Sequence, residues 1–180
     1  MNDLVFFAIR EEAPDLTALP HVFCTGVGKV NAALAAARLI EKHRPKRVWN
    51  FGTAGGITVG SGLHRCTHFV QRDMDVAPLG FSLGQTPYEE HIVLAIGEGG
   101  LTCSSGDSFV TDPNLKIPAD LVDMEAYALA KACVATGTEF ICYKFISDRA
   151  DGGSSTDWTA NVRQGETAYA TILSEHGLLG

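Results

Sequence analysis

Long apolar runs are missing from this 180-residue chain's opening: Leu4–Ile9 is too short for a membrane span or a signal-peptide core, and Met1-Asn2-Asp3 carries no basic flank. Cysteine is sparse and unpatterned. The five (Cys24, Cys66, Cys103, Cys133, Cys142) are an odd number with no C-x-x-C pair, which argues against a disulfide framework or a zinc ribbon. They read as small buried side chains in a reducing, cytoplasmic setting. Among the six histidines, His64 and His68 are four apart, but in strand-like sequence where that spacing makes no helical metal pair. No metal and no organic cofactor is expected. Positive charge is also in deficit, with 14 Lys and Arg against 21 Asp and Glu and a formal net charge of -7. That balance argues against nucleic acid or an anionic membrane as a partner and leaves room for a small ligand. Repeats, low-complexity tracts and linkers are absent too, so residues 1–180 are expected to form a single domain.

What is present is an ordinary globular composition, 46% hydrophobic and 19% charged. Short apolar runs alternate with helical stretches. Strands are expected at Leu4–Ile9, His21–Thr25, Val48–Phe51, Cys66–Val70, Ile92–Ile96, Leu101–Ser104 and Phe140–Ile146. Helices are expected from Val30 to about His43, stopped by Pro45, from Asp123 to about Thr136, ended by Gly137, and over Thr156–His176. Strands apolar on both faces and interleaved with helices predict a mixed, mostly parallel central sheet flanked by helices on both faces, a three-layer α/β sandwich.

In such sheets ligands bind beyond the carboxyl ends of the strands. Those ends offer Glu11-Glu12, the glycine-rich turn Gly52-Thr53-Ala54-Gly55-Gly56, the segment Ser105–Phe109, and Ser147-Asp148. The familiar phosphate fingerprints fail. Gly26-Val27-Gly28 lacks the third glycine of a dinucleotide loop, with Asn31 in its place, and Gly28-Lys29 is followed by Val30 rather than Ser or Thr. Glu11 and Glu12 could simply be a solvated helix start. Asp148, at the edge of a buried strand beside a hydroxyl, suits a general acid. Glu125 interrupts an apolar stretch and must face solvent, a partner or a ligand. Glycosidic cleavage uses such a set: an acid at the leaving group, a base for water, and groups that hold sugar hydroxyls. An aromatic ring such as Phe109 suits stacking on a flat base. Spacing by itself does not choose nucleosides over other substrates.

Five blocks occur in order: Gly26-Val27-Gly28-Lys29-Val30-Asn31-Ala32-Ala33, Asn50–Ile57, Ser105-Gly106-Asp107-Ser108-Phe109, Val122-Asp123-Met124-Glu125-Ala126-Tyr127, and Ile146-Ser147-Asp148-Arg149-Ala150-Asp151. Together they resemble the nucleoside phosphorylase/hydrolase superfamily, with a particular likeness to bacterial 5′-methylthioadenosine/S-adenosylhomocysteine nucleosidases. The resemblance implies that Glu12 activates the attacking water and that Asp148, oriented by Ser147, protonates N7 of adenine. It implies that Met124 and Glu125 hold the ribose, that Phe109 stacks on the base, and that the Val110 backbone reads the base edge. Thr53 stands where a serine is usual near the sugar. The stretch from Asp75 to Pro87 resembles one that crosses a dimer interface. Val76, Leu79, Phe81 and Pro87 would then shape an apolar pocket for the 5′ substituent of a small-molecule nucleoside, in a homodimer. The expected activity is hydrolysis of an adenine nucleoside. The alternatives are a purine nucleoside phosphorylase, a nucleosidase for another purine such as futalosine, or a non-catalytic nucleoside-binding module. This chain departs from the pattern in being trimmed after Leu16 and around Glu89–Leu101, and in carrying Arg10, Asp123 and Lys144.

Overall fold

A computed structural model describes residues 2–179. In chain order the elements are β1 (Asp3–Phe7), β2 (Val22–Cys24), α1 (Lys29–His43), β3 (Arg47–Gly56), β4 (Leu63–Gln71) and β5 (Leu94–Ala95). They continue with β6 (Leu101–Ser105), β7 (Leu121–Asp123), α2 (Ala126–Thr136), β8 (Glu139–Asp148), α3 (Ser154–Asn161) and α4 (Glu166–Glu175). The sheet is mixed and mostly parallel, as the apolar strands predict, but it is not the open middle layer of a sandwich. β3 pairs parallel with β8, β8 antiparallel with β4, β4 parallel with β6, β6 parallel with β7, and β7 antiparallel with β3. Five strands thus close into a barrel. β1 and β2 extend the sheet beyond β3, and β5 pairs with β4.

Glycine makes the closure feasible. The predicted turn Gly52–Gly56 is instead the second half of the ten-residue β3. Its register with β8 slips between Ala54 and Gly55, and Gly55 and Gly56 then pair with Val122 and Leu121 of β7. A Cβ at Gly56 would stand 2.0 Å from the Val59 carbonyl oxygen, so no other residue fits the bend.

Alternation along β3 splits the core in two. Val48 and Ala54 join Ala32, Ala36 and Ile40 of α1 and most of α2, while Trp49 and Phe51 pack against Tyr169 and Leu173 of α4. Each large apolar side chain buried here stabilises the fold by roughly 1.5–3 kcal/mol. Helices therefore cover both faces where β1, β3 and β8 run side by side.

Three further details differ from the sequence reading. The single helix expected over Thr156–His176 is two helices, α3 and α4, and Gly165, at the start of the second, lies so close to Tyr169 that a Cβ would come within 2.4 Å of the phenol oxygen. The helix expected from Asp123 begins at Ala126, and Leu121–Asp123 is a strand that closes the barrel. Ser147 and Asp148 belong to the end of β8. Four of the five cysteines are buried and all are free. Burial pushes the Cys133 thiol up to about 12, so it stays protonated. Among the described residues, no helix is long and apolar enough to cross a membrane.

Candidate active site

Immediately after β1 the chain makes a 3-10 turn, Arg10–Glu12, which folds the Glu12 side chain back over the strand end. Glu12 is buried, and its carboxylate accepts on both oxygens. Oε2 takes the backbone N–H groups of Ala8 at 3.0 Å and Ile9 at 3.4 Å. Oε1 takes the Thr53 N–H at 2.7 Å and the Thr53 hydroxyl at 3.0 Å. Gly52 leaves room for this: a Cβ there would sit 3.0 Å from Glu12 Oε1 and 3.4 Å from Lys144 Nζ.

A second carboxylate stands at the end of β8. Asp148 Oδ2 accepts the Ser147 hydroxyl at 3.0 Å, and Oδ1 accepts the Ala150 N–H at 2.9 Å. Ala150 adopts φ 52°, a left-handed conformation seldom taken by alanine, and that turn aims its N–H at the carboxylate. Asn161 of α3 donates to the Ser147 carbonyl at 2.8 Å.

Between them lies a buried cluster of charge. Lys144 Nζ is 2.8 Å from Asp123 Oδ2, with both side chains almost fully enclosed. Asp123 also accepts the Ser105 hydroxyl at 2.5 Å and the Ala126 N–H at 2.8 Å. Burial works against its charge, yet Lys144, Ser105 and Ala126 together hold Asp123 below the ordinary carboxylate range. Burial equally opposes the ammonium, and Asp123 overrides it, keeping Lys144 above its ordinary value. Two of the three substitutions noted in the sequence, Asp123 and Lys144, are thus each other's partners. Glu125 has a weaker share: it accepts the Gly28 N–H at 2.9 Å, and burial and the Asp123 charge push it up to about 7.

Arg72, just past β4, donates to four carbonyls. They are Ser104 at 2.6 Å, Asp123 at 2.8 Å, Gly106 at 3.1 Å and Ser108 at 2.5 Å. One guanidinium thus pins the end of β7 and the Ser105–Phe109 segment together. Phe109 is 46% exposed at the mouth.

Glu12, Asp148, Asp123, Glu125, Arg72 and Phe109 all line one cavity of about 390 Å³. Glu12, Thr53, Phe109, Val110, Met124, Glu125, Ser147 and Asp148, each singled out in the sequence, line it. Val76, Leu79, Phe81 and Pro87 do not line this chain's cavity, and Leu79 is 71% exposed. Arg72 and Trp158 also line it and were not foreseen. The strand-end rule that found Glu12 would have found Arg72 had it been applied to β4. Trp158 gave no such signal, since it sits within what read as an uninterrupted helix.

A barrel-centred α/β fold whose strand ends gather carboxylates, a hydroxyl and a half-exposed ring into one cleft defines a class before any comparison. The chain matches the phosphorylase superfamily over residues 17–91 and 102–175, and it belongs to that superfamily. Among its relatives is the 5′-methylthioadenosine/S-adenosylhomocysteine nucleosidase of Bacillus pumilus, 32% identical over 168 residues, covering 78% of this chain and 72% of that one. The nucleosidase of the same name from Geobacillus thermodenitrificans is 33% identical over 162 residues, covering 74% and 68%. In fold the chain is similar to a futalosine hydrolase mutant of Helicobacter pylori, with TM-score 0.86, 19% identity and coverage of 97% and 100%. It is likewise similar to the Neisseria meningitidis 5′-methylthioadenosine/S-adenosylhomocysteine nucleosidase in complex with methylthio-immucillin-A, with TM-score 0.83, 23% identity and coverage of 99% of each chain.

Proposed function

We propose that this chain is an N-glycosyl hydrolase that releases adenine from a nucleoside such as 5′-methylthioadenosine, S-adenosylhomocysteine or 5′-deoxyadenosine. The observation that carries the reading is that Glu12, Asp148, Glu125 and Met124 line one cavity. In this account water attacks the anomeric carbon and gives a proton to Glu12. The bond to the base nitrogen breaks, its electron pair leaves with adenine, and Asp148 delivers a proton to N7. Glu125 and Met124 hold the ribose, Thr53 and Ser147 orient the two carboxylates, Phe109 stacks on the base, and the Val110 backbone reads its edge.

Hydrolysis is favoured over phosphorolysis by charge. Arg72 is the cationic side chain that lines the cavity, and its guanidinium is committed to four carbonyls. Lys144 is committed to Asp123. A phosphate dianion would meet the Glu12 carboxylate, and among the described residues no free cation lines the cavity to hold it. The same reading takes residues 1–180 as one domain of a cytoplasmic homodimer, in which the Val76, Leu79, Phe81 and Pro87 stretch shapes the 5′ pocket across the interface.

The test is base release from the purified protein given 5′-methylthioadenosine, S-adenosylhomocysteine, 5′-deoxyadenosine, adenosine and inosine, each with and without phosphate. Phosphate-independent adenine release is the expected result. Release only with phosphate would replace the hydrolase by a phosphorylase, and tight binding with no release would leave a nucleoside-binding module.

A further inference from the structure

The proposed base, Glu12, is not held by its own turn alone. Trp158 of α3 donates its indole N–H to the Thr53 hydroxyl oxygen at 3.0 Å, and that hydroxyl lies 3.0 Å from Glu12 Oε1. The direction of this relay follows from the groups themselves. An indole nitrogen only donates, and an ionised carboxylate only accepts. The threonine hydroxyl between them has one proton and a free rotor. With a lone pair committed to the indole, its proton is turned toward Glu12.

We infer that Trp158 is a positioning residue of the hydrolytic reaction: through the Thr53 hydroxyl it holds the Glu12 carboxylate aimed at the attacking water. The inference rests on the hydrolase reading above. Trp158 suits the task because α3 is fixed at the other end of the site as well, where Asn161 donates to the carbonyl of Ser147, the residue beside Asp148. One short helix therefore reaches the partners of both proposed catalytic carboxylates. Removing the indole frees the hydroxyl rotor and loosens the aim of the Glu12 carboxylate.

The experiment is a double-mutant cycle on kcat with Trp158→Phe, Thr53→Val and the pair, with KM measured alongside for wild type and W158F. Phenylalanine keeps an aromatic ring in the wall but has no N–H. W158F is expected to lower kcat by about tenfold with KM changed by less than about twofold. In the T53V background the same change is expected to lower kcat by less than about twofold, because the relay is already broken. Losses that multiply across the cycle, or a KM that rises as far as kcat falls, would reduce Trp158 to a packing residue and overturn the inference while leaving the hydrolase reading intact. A wild type that releases no base would overturn that reading and the inference with it. The split between kcat and KM is read on W158F itself, so a T53V variant too slow to assay still leaves a decisive result.

Discussion

The two sides of the cleft are built differently. On the strand-end side, Glu12, Thr53, Asp123, Glu125, Ser147 and Asp148 follow or end strands of the sheet, and each is tied by hydrogen bonds to backbone or to a neighbouring side chain. On the loop side, the segments that follow β4 and β6 carry little regular structure. Phe109 is half-exposed there, and in the stretch after β4 Tyr88 stands almost wholly in solvent and Leu79 mostly so. Groups that transfer protons must hold their geometry to fractions of an ångström, and a sheet supplies that rigidity. Groups that recognise the remainder of a ligand tolerate variation. On the proposed reading, the contrast separates what the fold fixes, the bond-breaking chemistry, from what it leaves adjustable, the substrate's tail.

The contrast can be broken most severely from the strand-end side. Asp148→Asn or Glu12→Gln is expected to lower kcat by about 10²–10⁴-fold with the circular dichroism spectrum unchanged, because each removes one proton-transfer group without altering shape. Full activity in either variant would remove that residue from its role. Lys144→Met tests the buried charge beneath the site. It leaves Asp123 enclosed without its cation, and urea unfolding should show a loss of about 3–5 kcal/mol. Replacing Asp123 by Asn in the same chain should return part of that loss.

Glu125 gives a pH signature. The folded protein binds its proton more tightly than the unfolded chain does, since burial and Asp123 push it up from 4.5 to about 7. The stability linked to this group is therefore full below about pH 4.5 and declines as pH rises, with the decline complete above about pH 7. Against Glu125→Gln, wild type should lose roughly 3 kcal/mol at most over that range, measured by denaturant unfolding at each pH. A difference independent of pH would mean that Glu125 is not held in its protonated form. The smallest effect belongs to the loop side. Arg72→Lys keeps the charge but cannot serve four carbonyls, so KM should rise by about tenfold while kcat changes little. An equal fall in kcat would show that the loop also shapes the reacting centre.

Much of this was legible in the sequence where local chemistry decides. The helix read from Val30 to about His43 runs Lys29–His43, since an alanine-rich stretch closed by Pro45 leaves few alternatives. The first strand and the apolar run Phe140–Ile146 were found for the same reason, and the strand-end rule located Glu12 and Asp148. What failed depends on partners distant in sequence. Gly52–Gly56 looks like a turn, and only pairing with β7 and β8 makes it strand. Leu121–Asp123 is too short to show a period, and it exists as a strand because the barrel needs a fifth member. Trp158 became visible as a site residue only once the last helix proved to be two and α3 was seen to set its indole against Thr53.

The most direct measurement is cleavage of 5′-methylthioadenosine in isotopically labelled water, with and without phosphate, followed by mass spectrometry of the sugar. One labelled oxygen in each released sugar, independent of phosphate, is the predicted result. An unlabelled sugar 1-phosphate, or no cleavage at all, would contradict water activation at Glu12.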